Sequence, residues 1–169
     1  MKNTNQISYP NLNHLQRNTK LGYMLLSHLG GLHSKMSIVS LYFYNHIIIE
    51  DINKELSDIF YQLLLVEMKH LQLLAKVCFK LGVDPRLWNC QNDSLEYWSP
   101  SYNVYSTQMT SMIENAIRQE KNTIKTYQEQ IQYIDEPIIQ DILNQFIIED
   151  KQHIHILQSY AKKTINIDK

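Results

Sequence analysis

Val66-Glu67-Met68-Lys69-His70 sits inside a long run of apolar periodicity, residues 56–81. Glu67 and His70 are three positions apart, so on a helix they share one face with Leu63, Leu71 and Leu74. A carboxylate and an imidazole aimed into an apolar layer are unfavourable unless something pairs with them. A metal ion held by several helices is one solution. Bundles of this kind draw one Glu from each of two helices and Glu-x-x-His from each of the other two. A lone Glu-x-x-His is common on helix surfaces and by itself says little.

A second pair strengthens the signal. Asp150-Lys151-Gln152-His153 repeats carboxylate-x-x-histidine within another apolar-periodic run, residues 138–157. Upstream of each pair a residue of interest is followed by Tyr seven positions later: Glu120 and Tyr127 in the second half, Lys35 and Tyr42 in the first. Lys35 precedes Glu67 by 32 residues and Glu120 precedes Asp150 by 30. The chain therefore reads as two helical hairpins of similar design, with Lys35 standing where the pattern wants a carboxylate.

Composition bounds the rest. A chain of 169 residues is about one domain. The net charge of −1 asks for neither nucleic acid nor an anionic membrane. Only four Gly and four Pro fit long uninterrupted helices. Cys78 and Cys90 form no Cys-x-x-Cys pair, which excludes a zinc ribbon or rubredoxin-type iron site and suits a reducing cytoplasm. Residues 1–17 are polar and Asn-rich, unlike a signal peptide, and no apolar run is long enough to span a membrane.

In chain order, residues 1–18 read as an irregular segment, 19–162 as the bundle and 163–169 as a polar tail. A short helix, 19–29, ends at Gly30-Gly31. The next spans 32–49, with Met36, Val39, Phe43 and Ile47 as its inner stripe. Asp51 is placed to cap the following helix, which stops at Gly82. Residues 83–102 form a long connection pinned by aromatic residues such as Trp88 and Trp98. A helix follows over 106–134, with Met109, Met112, Ile113, Ala116, Ile117, Ile124 and Tyr127 inward. Asp135 caps the last helix and Pro137 takes its first turn. The expected fold is all-α: a four-helix bundle with a long crossover between two helical hairpins.

The matching stretches cover most of the chain: Tyr9-Pro10, residues 34–44, Val66 through Leu71, residues 81–86, Tyr97-Trp98-Ser99-Pro100-Ser101, Glu120-Lys121 with Ile124 and Tyr127, and Ile147-Ile148-Glu149-Asp150 with His153. With them the chain resembles the ferritin-like di-metal carboxylate proteins, and within these the rubrerythrin-related, manganese-catalase-like branch. The resemblance implies a ferritin-like bundle, manganese or iron as cofactor, a homo-oligomer, and redox chemistry on peroxide or dioxygen. Glu67 and His70 match the first Glu-x-x-His, Glu120 the third-helix bridging Glu, and His153 the last His. Asp150 falls where the family has Glu. Glu149, one step and about 100° away, does not share that face. Lys35 falls where the family has its first-helix Glu. Without a rubredoxin domain, a catalase-type disproportionation suits the chain better than NAD(P)H-linked peroxidase activity.

Lys35 changes the charge balance. Four carboxylates balance two divalent ions. Here Glu67, Glu120, Asp150 and a protonated Lys35 sum to −2, which one ion balances. The ammonium thus replaces one metal, paired with Glu67 or Glu120, leaving one ion or none. A neutral, ligating Lys35 is the alternative. Two functions follow: a metal-binding oxidoreductase with an altered site, or a metal-poor structural or assembly subunit with a Lys–carboxylate core and an active paralogue as partner. Tyr42 and Tyr127 read either as donors to the carboxylates or as core tyrosines. His14, His28, His33, His46 and His155 read as solvated or locally hydrogen-bonded.

Overall fold

The computed structural model describes residues 9–91 and 94–167. Local signals start most of the helices. Asn18 Oδ1 accepts from Leu21 N–H and opens α1 (Thr19–Gly30). Ser34 does the same for α2 (Lys35–Ile49), so this helix begins three residues later than its apolar pattern suggests. Asn53, not Asp51, caps α3 (Lys54–Lys80), with Oδ1 accepting from Leu56 N–H. The stop at Gly82 is as expected. Its φ of 90° is the left-handed conformation glycine adopts without strain, and Gly82 and Val83 N–H close on the carbonyls of Phe79 and Cys78.

The connection is more ordered than the sequence suggested. It contains a short antiparallel hairpin, β1 (Trp88–Gln91) and β2 (Ser94–Tyr97), against which α1 packs. Next comes α4 (Met109–Ile131), shorter than expected at both ends. At the start of α5 (Pro137–Ile167) the capping contacts come from Glu136 rather than Asp135, and Pro137 is the first helical residue. α5 runs past Lys162 because nothing from 158 to 167 is Gly or Pro. Residues 1–8 and 168–169, at the two ends of the expected organisation, lie outside the described residues.

Hairpins α2–α3 and α4–α5 pack face to face as a four-helix bundle with a long crossover, the all-α fold expected. No helix among the described residues is long and apolar enough to cross a membrane. Two apolar clusters fill the interior. One takes Leu74 and Val77 of α3 with Leu81 just after it, Ile124 and Tyr127 of α4, and Ile139, Leu143 and Phe146 of α5. The other takes Leu56, Phe60 and Leu63 of α3, Met112 and Ala116 of α4, and Leu157 and Tyr160 of α5. On each helix the residues between the two sets are the charged ones: Glu67 and His70, Glu120, Asp150 and His153. The charged layer is thus enclosed above and below by apolar side chains.

The inner stripe of α2 is a correction. Phe43 and Ile47 are 57% and 50% exposed, and Met36 and Val39 are only half-buried. The buried residues are Lys35, Ser37, Ile38, Leu41, Tyr42, Asn45 and Ile49. α2 is apolar nearly all round, so periodicity alone does not select a face. Met109, also expected inward, is 37% exposed at the helix start.

Candidate metal centre

Lys35 is the first residue of α2, and α4 and the crossover fix the backbone on either side of it. Gln119 Nε2 and Thr123 Oγ1 of α4 donate to the carbonyls of Leu32 and His33. From the crossover, Trp98 Nε1 donates to Ser37 Oγ, and Asn103 Nδ2 to the Ser37 carbonyl. A cation gains nothing from a helix N-terminus, whose dipole is positive. The side chain is instead drawn into the bundle by carboxylates. Lys35 Nζ lies 2.6 Å from Asp150 Oδ1 and 2.8 Å from Glu67 Oε2, with all three side chains fully buried. The sequence offered Glu67 or Glu120 as its partner; the structure gives Glu67 and Asp150. Burial alone would lower the Lys35 ammonium, but Asp150 and Glu67 outweigh it and hold the group well above its ordinary value. Lys35 is therefore a cation here, not a neutral ligand.

Glu67, Glu120, Asp150 and His153 converge, each offering one ligand-type atom, with these atoms all within 4.8 Å of one another. His153 Nδ1 lies 3.1 Å from both Glu67 Oε1 and Glu120 Oε1. Burial lowers this imidazole, but its hydrogen bond to Glu120 and the charge of Glu67 beside it prevail and push it up to about 10. Burial opposes the charge on Glu67 as well, yet Lys35 beside it holds that carboxyl well below its usual range. Asp150 goes the other way: burial outweighs the pull of Lys35, and Glu120 and Glu67 push it further up. Tyr42 OH donates to Glu120 Oε1 at 2.5 Å. Tyr127 donates to no carboxylate; its ring instead faces Lys35, 5.6 Å from Nζ.

His70 stands beside this group. Its Nε2–H donates to Glu149 Oε2, which fixes the tautomer and leaves Nδ1 without a hydrogen bond, 3.4 Å from Glu67 Oε1 and 3.7 Å from Asp150 Oδ1. Glu149 is a residue the sequence reading set aside. The 100° offset from Asp150 does turn it off the centre, but toward α3, where it is buried against His70. Its signal was an acidic residue inside an apolar helical run. His28 is buried rather than solvated, its ring edge-on to Tyr127 at 4.6 Å, and burial lowers it to about 4. His33 and His46 are locally hydrogen-bonded, to Gln119 and Ser57.

The residues fit a cation. Glu120 Oε2 and Asp150 Oδ2 are buried with neither a hydrogen bond nor an ion pair among the described residues, as acceptors awaiting a positive partner would be. Glu67's two oxygens make no hydrogen bond either but face Lys35 and His153 at ion-pair distance. Three carboxylates and imidazole suit manganese or iron better than zinc or copper.

Residues 31–167 match the family model described as ferritin-like domain. The chain belongs to the ferritin-like family. Solved structures share its fold. A manganese catalase from Anabaena, KatB, superposes with a TM-score of 0.82 at 16% identity, over 97% of this chain and 81% of the catalase. A second structure of KatB, from Anabaena PCC7120, gives the same values. A dodecameric thioferritin from Bacteroides fragilis, a bacterioferritin-related protein, gives 0.70 at 17% identity, over 90% of this chain and 91% of its own. No curated protein is significantly similar in sequence.

If Lys35 compensates the buried carboxylates, its removal leaves them uncompensated. In chelator-treated protein, Lys35→Met is expected to cost about 3–5 kcal/mol of stability, measured by urea unfolding. An unchanged midpoint would show that the ammonium does not hold the layer.

Proposed function

We propose that this ferritin-like protein binds one manganese or iron ion through Glu67, Glu120, Asp150 and His153, with Lys35 in place of a second ion. The supporting observation is the fully buried Lys35 ammonium between Glu67 and Asp150. One divalent ion with Lys35 neutralises the three inner carboxylates; a second would leave excess positive charge in a low-dielectric layer. When bound, the ion supplies one-electron redox and Lewis acidity. The chain's own residues prepare its place. Tyr42 holds Glu120 in one orientation, and Glu149 holds His70 with Nδ1 turned inward. His153 gives up its Nδ1 proton to ligate, and Asp150 any proton it carries.

Peroxide is the reactant class we assign, since the fold neighbour is named a manganese catalase. The activity would be of catalase or peroxidase type and altered by the missing ligand, because disproportionation by paired ions needs both. A metal-poor structural or assembly role, alongside an active paralogue, is the second reading. It is favoured by Lys35 and His153, which in charged form already neutralise much of the layer. In either case copies of the chain meet, in our reading, on the outward stripe of Phe43 and Ile47 with Tyr61, Leu65 and Met68 of α3. Clustered exposed apolar side chains of this kind mark association surfaces. The free thiols Cys78 and Cys90 suit a cytoplasmic location.

Elemental analysis of protein purified with manganese or iron is expected to give one ion per chain, and Lys35→Glu two, with a gain in peroxide disproportionation. Two ions in the native chain would overturn the ammonium reading; none would leave the structural role. Because His153 holds its proton up to about 10 when metal-free, binding at neutral pH releases it, and affinity should rise from about pH 6 to about pH 8. Calorimetry in buffers of different ionisation enthalpy reads that proton, and no release would exclude His153 as a ligand. Phe43→Glu should lower the assembly state in sedimentation without unfolding the bundle; an unchanged assembly would place the interface elsewhere.

A further inference from the structure

The charged layer comes near solvent at two side chains. Glu149 and His153 retain 6% and 5% exposure, whereas Lys35, Glu67, His70, Glu120 and Asp150 have none. Above Glu149 lies Tyr9, which belongs to the segment before α1 and is 140 residues away in sequence. Its hydroxyl donates to Glu149 Oε2 at 2.9 Å. Gln145 Nε2 donates to the other oxygen at 3.0 Å, so Glu149 is fully engaged by Tyr9, Gln145 and His70. The Tyr9 ring stands edge-on to His70, centroids 6.2 Å apart, and edge-on to Phe146 at 5.8 Å. Phe146 stacks on the His70 ring at 4.1 Å. His70 is thus held between an aromatic residue of the bundle and one supplied by the preceding segment.

That segment is anchored further along, by buried Leu15 and by Asn18 N–H on the Leu81 carbonyl. Among the described residues no backbone hydrogen bond holds Tyr9 or Pro10, and Tyr9 is held there by its side chain, on Glu149 and against His70 and Phe146. We propose that Tyr9 is the gating and positioning residue of the centre. Its ring closes the His70 side against solvent and small reactants, and its hydroxyl fixes Glu149, which orients His70. A closed ring keeps water out and preserves the low dielectric in which Lys35 and the carboxylates pair. Half-buried Tyr9 is also the one aromatic contact of the Glu149–His70 pair that comes from outside the helices, so it can swing away without unpacking one.

The proposal deepens the metal reading, and its test is independent of metal. Chelator-treated protein would be exposed to diethyl pyrocarbonate and each histidine's modification rate read by peptide mass spectrometry. Exposed His14 serves as the reactive reference and buried His28 as the protected one. In the native chain His70 is expected to stay protected. Tyr9→Phe keeps the ring but loses a hydrogen bond to a charged acceptor, so His70 should react about tenfold faster or more. Tyr9→Ala should open it further, with His28 still protected. Equal protection of His70 in the native chain and Tyr9→Ala would overturn the gate. So would native His70 reacting as fast as His14, or loss of His28 protection together with His70, which would mean general loosening. Slower chelator extraction of manganese from the native chain than from Tyr9→Phe would extend the gate to the loaded centre.

Discussion

A lysine ammonium with no exposed surface must be compensated, and Lys35 is compensated by Glu67 and Asp150 at hydrogen-bonding distance. Much of the architecture serves that contact. It requires α2 to begin at a fixed point relative to α3 and α5, and side-chain hydrogen bonds from α4 and the crossover help fix that point. Ser34 caps the helix, Gln119 and Thr123 bond the segment before it, and Trp98 and Asn103 of the crossover bond Ser37. The crossover therefore does more than link hairpins: it locks the register of the residue on which the charged layer depends.

The layer works because it is enclosed. Along α3, α4 and α5 the apolar residues fall into two sets with the carboxylates and histidines between them. In that setting each group's proton is decided by its neighbours. Lys35 keeps Glu67 charged, burial among carboxylates raises Asp150, and Glu120 with Glu67 keeps His153 protonated. These protons stand in for cations, and an arriving ion would have to displace them. Metal affinity, charge and packing are one problem here.

Much of the centre was legible from spacing. Glu67, Glu120, Asp150 and His153 lie together because two carboxylate-x-x-histidine pairs and one Glu on periodic helices leave little freedom of direction. Lys35 was legible as the odd member and as a cation. Its partner was not, because choosing between Glu67, Glu120 and Asp150 depends on the helices' relative heights. The contact of Glu149 with His70 was not legible for a related reason. The angle of Glu149 on α5 is correct, but whether that angle meets solvent or another helix depends on α3. The stripe Met36, Val39, Phe43 and Ile47 pointed the wrong way because α2 is apolar on every side, so its inward face follows the buried polar residues instead.

By itself the sequence determined that the helices exist, their stops at Gly30-Gly31 and Gly82, the two-hairpin plan and which helix positions carry carboxylate and histidine on the inner face. All of these rest on short-range periodicity, capping and spacing, which are properties of neighbours along the chain. Only the tertiary structure decided which carboxylates face Lys35, that Glu149 holds His70, that Tyr9 reaches across to Glu149, and that Trp88–Gln91 pairs with Ser94–Tyr97 against α1. Those contacts join positions as far as 140 residues apart. They depend on how rigid helices rotate and slide against one another, and no local pattern encodes that.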